Sequence, residues 1–136
     1  VQMPITVMDP HYKSFITNVL PEAQRLGIGV IGMKALGGRA QFVTNAGISV
    51  SDCLRFAMSQ PIATLVSGMT SEKIVDENCS IAGNFIPMTK SEQQALLQKV
   101  RPVAVDGRLE WYKSTQHFDS EPHLVQHGFP NPSDLP

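Results

Sequence analysis

Two short apolar runs constrain this chain more than anything else in it. Gly29-Val30-Ile31-Gly32-Met33 and Ala63-Thr64-Leu65-Val66 carry almost no polar side chain, and Ser67-Gly68 closes the second. A strand with one wet face alternates apolar and polar residues. A near-continuous run of this length suits a strand covered on both faces, as in a parallel sheet. Gly29 and Gly32 weaken strand propensity but admit close approach of backbone or ligand. Val1-Gln2-Met3-Pro4 is a third, shorter candidate that ends at a proline.

Amphipathic segments lie between and after these runs. Phe15, Val19, Ala23 and Leu26 recur at helical spacing over residues 12–26, and Gly27 is a natural stop. Pro21 must kink that helix or start a second one, because its ring blocks an interior hydrogen bond. Ser49-Val50-Ser51-Asp52 reads as a capping box opening a helix through Cys53, Leu54, Phe56, Ala57 and Met58, which stops before Pro61. Residues 71–81 read as a helix with Ile74, Val75, Asn78 and Ala82 along one side. Thr89-Lys90-Ser91-Glu92 is a second capping box, before Ala95, Leu96, Leu97 and Val100. The order is β-α-β-α-β-α-α followed by a tail. The second and third strands stand roughly a βαβ unit of 30 residues apart, and right-handed crossovers make such a sheet parallel. The fold class is therefore α/β.

Composition bounds the rest. A chain of 136 residues with 42% hydrophobic content can bury a core. A complete (β/α)₈ barrel needs about 250 residues and does not fit. The formal net charge of −1 gives no bulk attraction for nucleic acid or an anionic membrane. No run of about 18 apolar residues spans a membrane. The N-terminus has neither the basic region nor the apolar core of a secretory signal. It also lacks an initiator Met, as expected of a chain processed or cut from something longer. Cys53 and Cys79 read as reduced, packed thiols of a cytoplasmic protein. Half of the ten prolines and three of the four histidines fall in 101–136, so this part reads as an irregular tail.

In parallel α/β architectures ligands sit at the carboxyl ends of the strands. Two loops there carry suitable chemistry. Met33-Lys34-Ala35-Leu36-Gly37-Gly38-Arg39 offers paired glycines for close backbone approach and two cations. Ser67-Gly68-Met69-Thr70-Ser71 leads straight into a helix, whose first amides and positive dipole end suit a phosphate. Taken singly, each loop is more often a plain turn or cap. Their position after two successive strands favours a joint site. His117, Asp119, Glu121, His123 and His127 are ligand-type residues without a fixed geometry, and no metal site is assigned. Trp111 and Tyr112 read as anchors of the tail to the body. No nucleophilic triad is legible.

At these loops the sequence resembles the aldo/keto reductase superfamily. The stretch from Leu20-Pro21-Glu22-Ala23 through Gly29-Val30-Ile31-Gly32-Met33-Lys34-Ala35-Leu36-Gly37-Gly38 looks like the seventh βα segment of that family. Leu54-Arg55-Phe56-Ala57, then Val66-Ser67-Gly68-Met69-Thr70-Ser71 and Asp76-Glu77-Asn78, looks like the eighth. Val1-Gln2-Met3-Pro4 with Asp9-Pro10-His11-Tyr12 is similar to the sixth strand and its loop. The tail, with Asp106-Gly107-Arg108 and Lys113-Ser114-Thr115-Gln116-His117, resembles a bacterial branch. The order and spacing of these motifs are more specific than any one of them.

The resemblance implies the C-terminal part of a TIM (β/α)₈ barrel. Residues 1–100 would form its cofactor-binding portion and 101–136 a tail packed on the barrel. It implies an NADP(H)-dependent oxidoreductase that transfers hydride between nicotinamide and a carbonyl or alcohol. Gln2 would hold the nicotinamide carboxamide. Met33 stands where the family often stacks an aromatic ring. Lys34, Leu36, Gly37 and Gly38 would line the pyrophosphate path. Gly68, Met69 and Thr70 would sit by the adenosine 2′-phosphate, with Glu77 and Asn78 near the adenine. A frequently basic position is Ile74 here, beside Lys73, so NAD(H) is the alternative cofactor. The family's catalytic residues come from earlier strands, and no stretch of this chain matches them. The substrate's identity and the oligomeric state do not follow from these motifs. A different class is a non-catalytic partial barrel acting as a binding or interaction module, with open sheet edges needing a partner. A flavodoxin-like nucleotide binder is a weaker rival, which the glycine positions disfavour.

Overall fold

A computed structural model describes residues 1–37 and 41–114, with only the backbone of Gln41, Trp111 and Ser114. Strands β1 (Gln2–Pro4), β2 (Ile31–Met33) and β3 (Thr64–Leu65) form a parallel sheet in the order β1-β2-β3. The α/β class read from the apolar runs is what the chain adopts. Around the sheet stand α1 (Phe15–Asn18), α2 (Leu20–Arg25), α3 (Gln41–Ala46), α4 (Val50–Met58), α5 (Glu72–Gly83), α6 (Lys90–Ala104) and α7 (Trp111–Ser114). No helix among the described residues is long and apolar enough to cross a membrane.

The sheet is covered on one face. Met3, Gly32 and Leu65 share a row across the three strands. With Ile5 and Val30 they pack on Leu20, Ala23, Leu54 and Ala57 of α2 and α4. Gly32 is needed here, because a Cβ would stand 3.0 Å from Ile62 Cδ1 and 3.3 Å from Ile5 Cγ1. The close approach that its sequence context allowed is thus made by neighbouring side chains. The opposite row holds Gln2, Ile31 and Thr64, all exposed. Ile31 is 37% and Val66 52% exposed. Among the described residues no helix covers this face, which corrects the expectation of strands buried on both sides.

Helix α4 joins two cores. Its capping box forms as the sequence suggests: Asp52 N–H donates to Ser49 Oγ at 2.9 Å, and Ser49 N–H donates to Asp52 Oδ2 at 3.1 Å. Leu54 and Ala57 face the sheet. Cys53 and Phe56, one position earlier in each turn, face a second core with Val7, Met8, Phe42, Met88, Leu96 and Val100. Thr89 and Glu92 form the other capping box and start α6. That helix runs past residue 100 and through Pro102, because Val100 and Ala104 are both buried one turn apart. A proline near the end of a helix disturbs few bonds, and the buried stripe outweighs it.

Two other helices differ from their sequence patterns. Pro21 begins α2, so residues 12–26 form two short helices with Val19 between them. The break rotates the apolar set. Leu20 and Ala23 are buried, while Val19 and Leu26 are 38% and 55% exposed. In α5 the half-buried side runs through Ile74, Asn78 and Ile81, with Val75 and Ala82 outside. Cys79 is exposed, not packed, whereas Cys53 is buried; both thiols are free.

Buried charge ties residues 107–114 to the loop after β1. Lys113 Nζ donates to Asp9 Oδ1 at 2.6 Å, Glu110 Oε2 at 2.9 Å and the Tyr12 carbonyl at 2.8 Å. Asp9 also accepts from Ser14 Oγ and from the amides of Phe15 and Ile16. Thr6 Oγ1 donates to Glu110 Oε1 at 2.9 Å and accepts from the Met8 and Asp9 amides. Removing one partner of such a cluster strands the other charges away from water. Lys113→Met is therefore expected to lose about 3–5 kcal/mol, read as a shift in the urea unfolding midpoint at neutral pH.

His11 borders this cluster, and its Nε2 is buried without a hydrogen-bond partner among the described residues. Burial holds its pKa below the ordinary 6.5 and Arg101 adds to this, while the Leu97 backbone and Glu110 oppose it by less. The folded state thus disfavours the imidazolium. The stability tied to neutral His11 is complete above pH 6.5 and is lost as the pH falls below it. Between pH 7.5 and 5.5 the unfolding midpoint should fall less in His11→Gln than in the unsubstituted protein.

Candidate functional site

The two loops singled out in the sequence meet. Beyond β2 the chain turns through Lys34, whose φ of 59° is left-handed for a residue with a Cβ. Gly37 N–H donates to the Lys34 carbonyl at 2.7 Å and closes the turn. Beyond β3 the ladder continues for one bond, Val66 N–H to the Gly32 carbonyl at 2.8 Å. The chain then passes Ser67 and Gly68 to Ser71, the N-cap of α5, whose hydroxyl accepts from Ile74 N–H. Asn78 Nδ2 donates to Ser67 Oγ at 3.2 Å and ties the loop to its own helix.

A cleft of about 510 Å³ lies between these loops. Met33, Ala35, Leu36, Val50, Val66 and Ile74 give it apolar walls. Lys34, Ser67, Thr70, Glu77 and Asn78 bring polar groups to it, and Gly68 leaves room for backbone approach. Apolar walls with a few convergent polar groups are the usual character of a small-molecule site. The first amides of α5 lack intrahelical acceptors and carry the positive end of the dipole. With Lys34 they offer an anion positive potential at this end of the cleft, offset in part by Glu72 in the first turn of α5 and by Glu77 in the lining.

Seven of the residues named from the sequence line this cleft: Met33, Lys34, Leu36, Gly68, Thr70, Glu77 and Asn78. Four do not. Gln2 sits on the exposed face of β1, outside the lining. Gly37 lies just behind the wall, against Phe42. Met69 is 50% exposed and not part of the lining. Gly38 lies outside the described residues, as do His117, Asp119, Glu121, His123 and His127. Among the described residues no group of three metal-type ligands occurs.

Sequence reasoning passed over Val50, which α4 brings in from another part of the chain. It placed Ala35 and Ser67 in the two loops and noted Ile74 without giving them a binding role, and it gave none to Val66. A signal for one of them was present, because Ile74 stands one turn before Asn78, which the sequence did nominate. Cys53 offers no nucleophile: burial pushes its thiol up to about 12, and Asp52 adds to this. Comparison of the chain with family models, curated proteins and solved structures finds no match.

The turn after β2 leaves no space for a side chain at Gly37. Its φ is 78°, and a Cβ would stand 2.7 Å from Cε1 of Phe42, which is fully buried. Gly37→Ala is expected to cost about 1–3 kcal/mol, measured as a lower midpoint in thermal or urea unfolding.

Proposed function

We propose that this chain is the cofactor-binding C-terminal portion of an aldo/keto reductase, a (β/α)₈ barrel enzyme of the cytoplasm. Such an enzyme moves hydride between NADP(H), or alternatively NAD(H), and a small carbonyl or alcohol substrate. The observation that carries the reading is the cleft at the ends of β2 and β3. It gathers seven residues that the family resemblance nominates, from two loops some 35 residues apart by βαβ spacing and from the helix α5 that follows the second. The open face of the sheet adds to it. Ile31 and Val66 are exposed there, as the lumen side of a barrel slice would be before the other strands fill it.

The residues fit a dinucleotide's anionic part. Lys34 and the α5 N-terminus supply positive potential where a pyrophosphate or 2′-phosphate would lie. Ser67 and Thr70 add hydroxyls, and the Asn78 hydrogen bond holds Ser67 in place. Met33 and Gln2 project from the same face of the sheet, given their positions in the strand register. The thioether of Met33 suits a flat apolar ring, and Gln2 carries an amide that matches a carboxamide. The bound nicotinamide would supply the hydride. No group of this chain is assigned as the general acid for the carbonyl oxygen.

A second reading is a partial barrel that binds or interacts without catalysis. The unpaired outer edges of β1 and β3, among the described residues, favour it. An upstream reading frame holding five further βα units would remove it.

Fluorescence titration with NADPH and NADH, on protein expressed from its complete reading frame, tests the first reading. Quenching by at least one cofactor is expected, and none with either overturns it. Lys34→Met should weaken NADPH binding roughly tenfold, the scale of a hydrogen bond to a charged group. The purified 136-residue chain should turn over no carbonyl substrate, for want of a general acid. Measurable NADPH oxidation by that chain, above the buffer rate, would refute this.

A further inference from the structure

The buried charge cluster reaches the cleft at one place. Tyr112 hydroxyl donates to Glu110 Oε1 at 2.8 Å, and the same oxygen accepts from Thr6 Oγ1. Glu110 is in turn paired with Lys113, which is held by Asp9. The Tyr112 hydroxyl is therefore joined through Glu110 to the loop after β1, while the ring itself is held by burial. Burial, and next the Glu110 carboxylate, hold its phenol well above the usual range, so it remains a neutral donor. The ring meets Lys34 Nζ at 5.4 Å from its centroid, within the distance of a cation–π contact. Lys34 is the one cationic side chain among the described residues lining the cleft. Its backbone occupies a left-handed conformation that persists only where the surroundings hold it.

We infer that Tyr112 is a positioning residue, whose ring fixes the Lys34 ammonium at the cleft and couples ligand binding there to the docking of residues 107–114. The ligand's identity as a nicotinamide dinucleotide rests on the reading above; the coupling rests on the contacts. Coupling is reciprocal, so an anion that engages Lys34 also favours the docked segment.

The test combines a ligand-free signal with binding. Lysines of the full chain are dimethylated with carbon-13, and the Lys34 methyl signal is assigned through Lys34→Met. An upfield ring-current shift of that signal is expected, retained in Tyr112→Phe and lost in Tyr112→Leu. An unshifted Lys34 signal in the unsubstituted protein overturns the inference even if neither Tyr112 variant folds. NADPH binding should weaken roughly three- to tenfold in Tyr112→Leu and stay within about twofold in Tyr112→Phe, the span of a partly desolvated cation–π contact. In a Lys34→Met background Tyr112→Leu should bring no further loss. Equal NADPH binding by Tyr112→Leu and the unsubstituted protein overturns the positioning role and leaves the cofactor reading standing. If neither NADPH nor NADH binds the unsubstituted protein, the cofactor reading fails. The coupling to ligand binding then fails with it, and the ring-current shift decides whether the Tyr112 ring holds the Lys34 ammonium.

Discussion

Helix α4 is the constraint on which the other elements depend. Two adjacent stripes on nine residues face two separate cores, so the helix can neither rotate nor slide without opening one of them. A capping box fixes where it starts. Its first turn then brings Val50 to the cleft, and its far end receives the segment before α6 through Met88 N–H to Ser59 Oγ. Cleft and core are thus parts of one packing arrangement. A helix with a single apolar face would have left the sheet and α6 without a common support.

The cleft itself owes its chemistry to strand ends. Three short strands provide little area, yet parallel pairing aligns the loops after β2 and β3 on one edge. What those loops hold follows from their termini: a left-handed Lys34 closed by Gly37 on one side, and a capped helix on the other. The polar groups are few and spread along apolar walls, an arrangement that discriminates by shape as well as charge.

Local signals were legible at the two capping boxes, whose partners lie within one helical turn. Ser49 with Asp52 and Thr89 with Glu92 act as capping boxes because the geometry needs only a spacing of three. The parallel strands were legible from their apolar runs. Which faces would be covered was not, since covering depends on elements that composition does not place. Helix α3 gave no capping pattern and follows the glycines after Leu36, yet Phe42 buries itself completely there. The charged cluster was hidden for a different reason. Thr6 and Asp9 find Glu110 and Lys113 across a separation of 104 residues, and isolated charges in a proline-rich stretch resemble a solvated tail. The two loops of the cleft were legible from their position after successive strands, and its distant wall at Val50 was not.

That separation also fixes which half of the cluster is local. The Asp9 carboxylate draws its bonds to Ser14, Phe15 and Ile16 from its own neighbourhood. Its cation comes from the far end of the described chain. Undocking residues 107–114 would therefore leave a carboxylate with three local donors and no counter-charge, so the loop after β1 and the docked segment share one electrostatic fate.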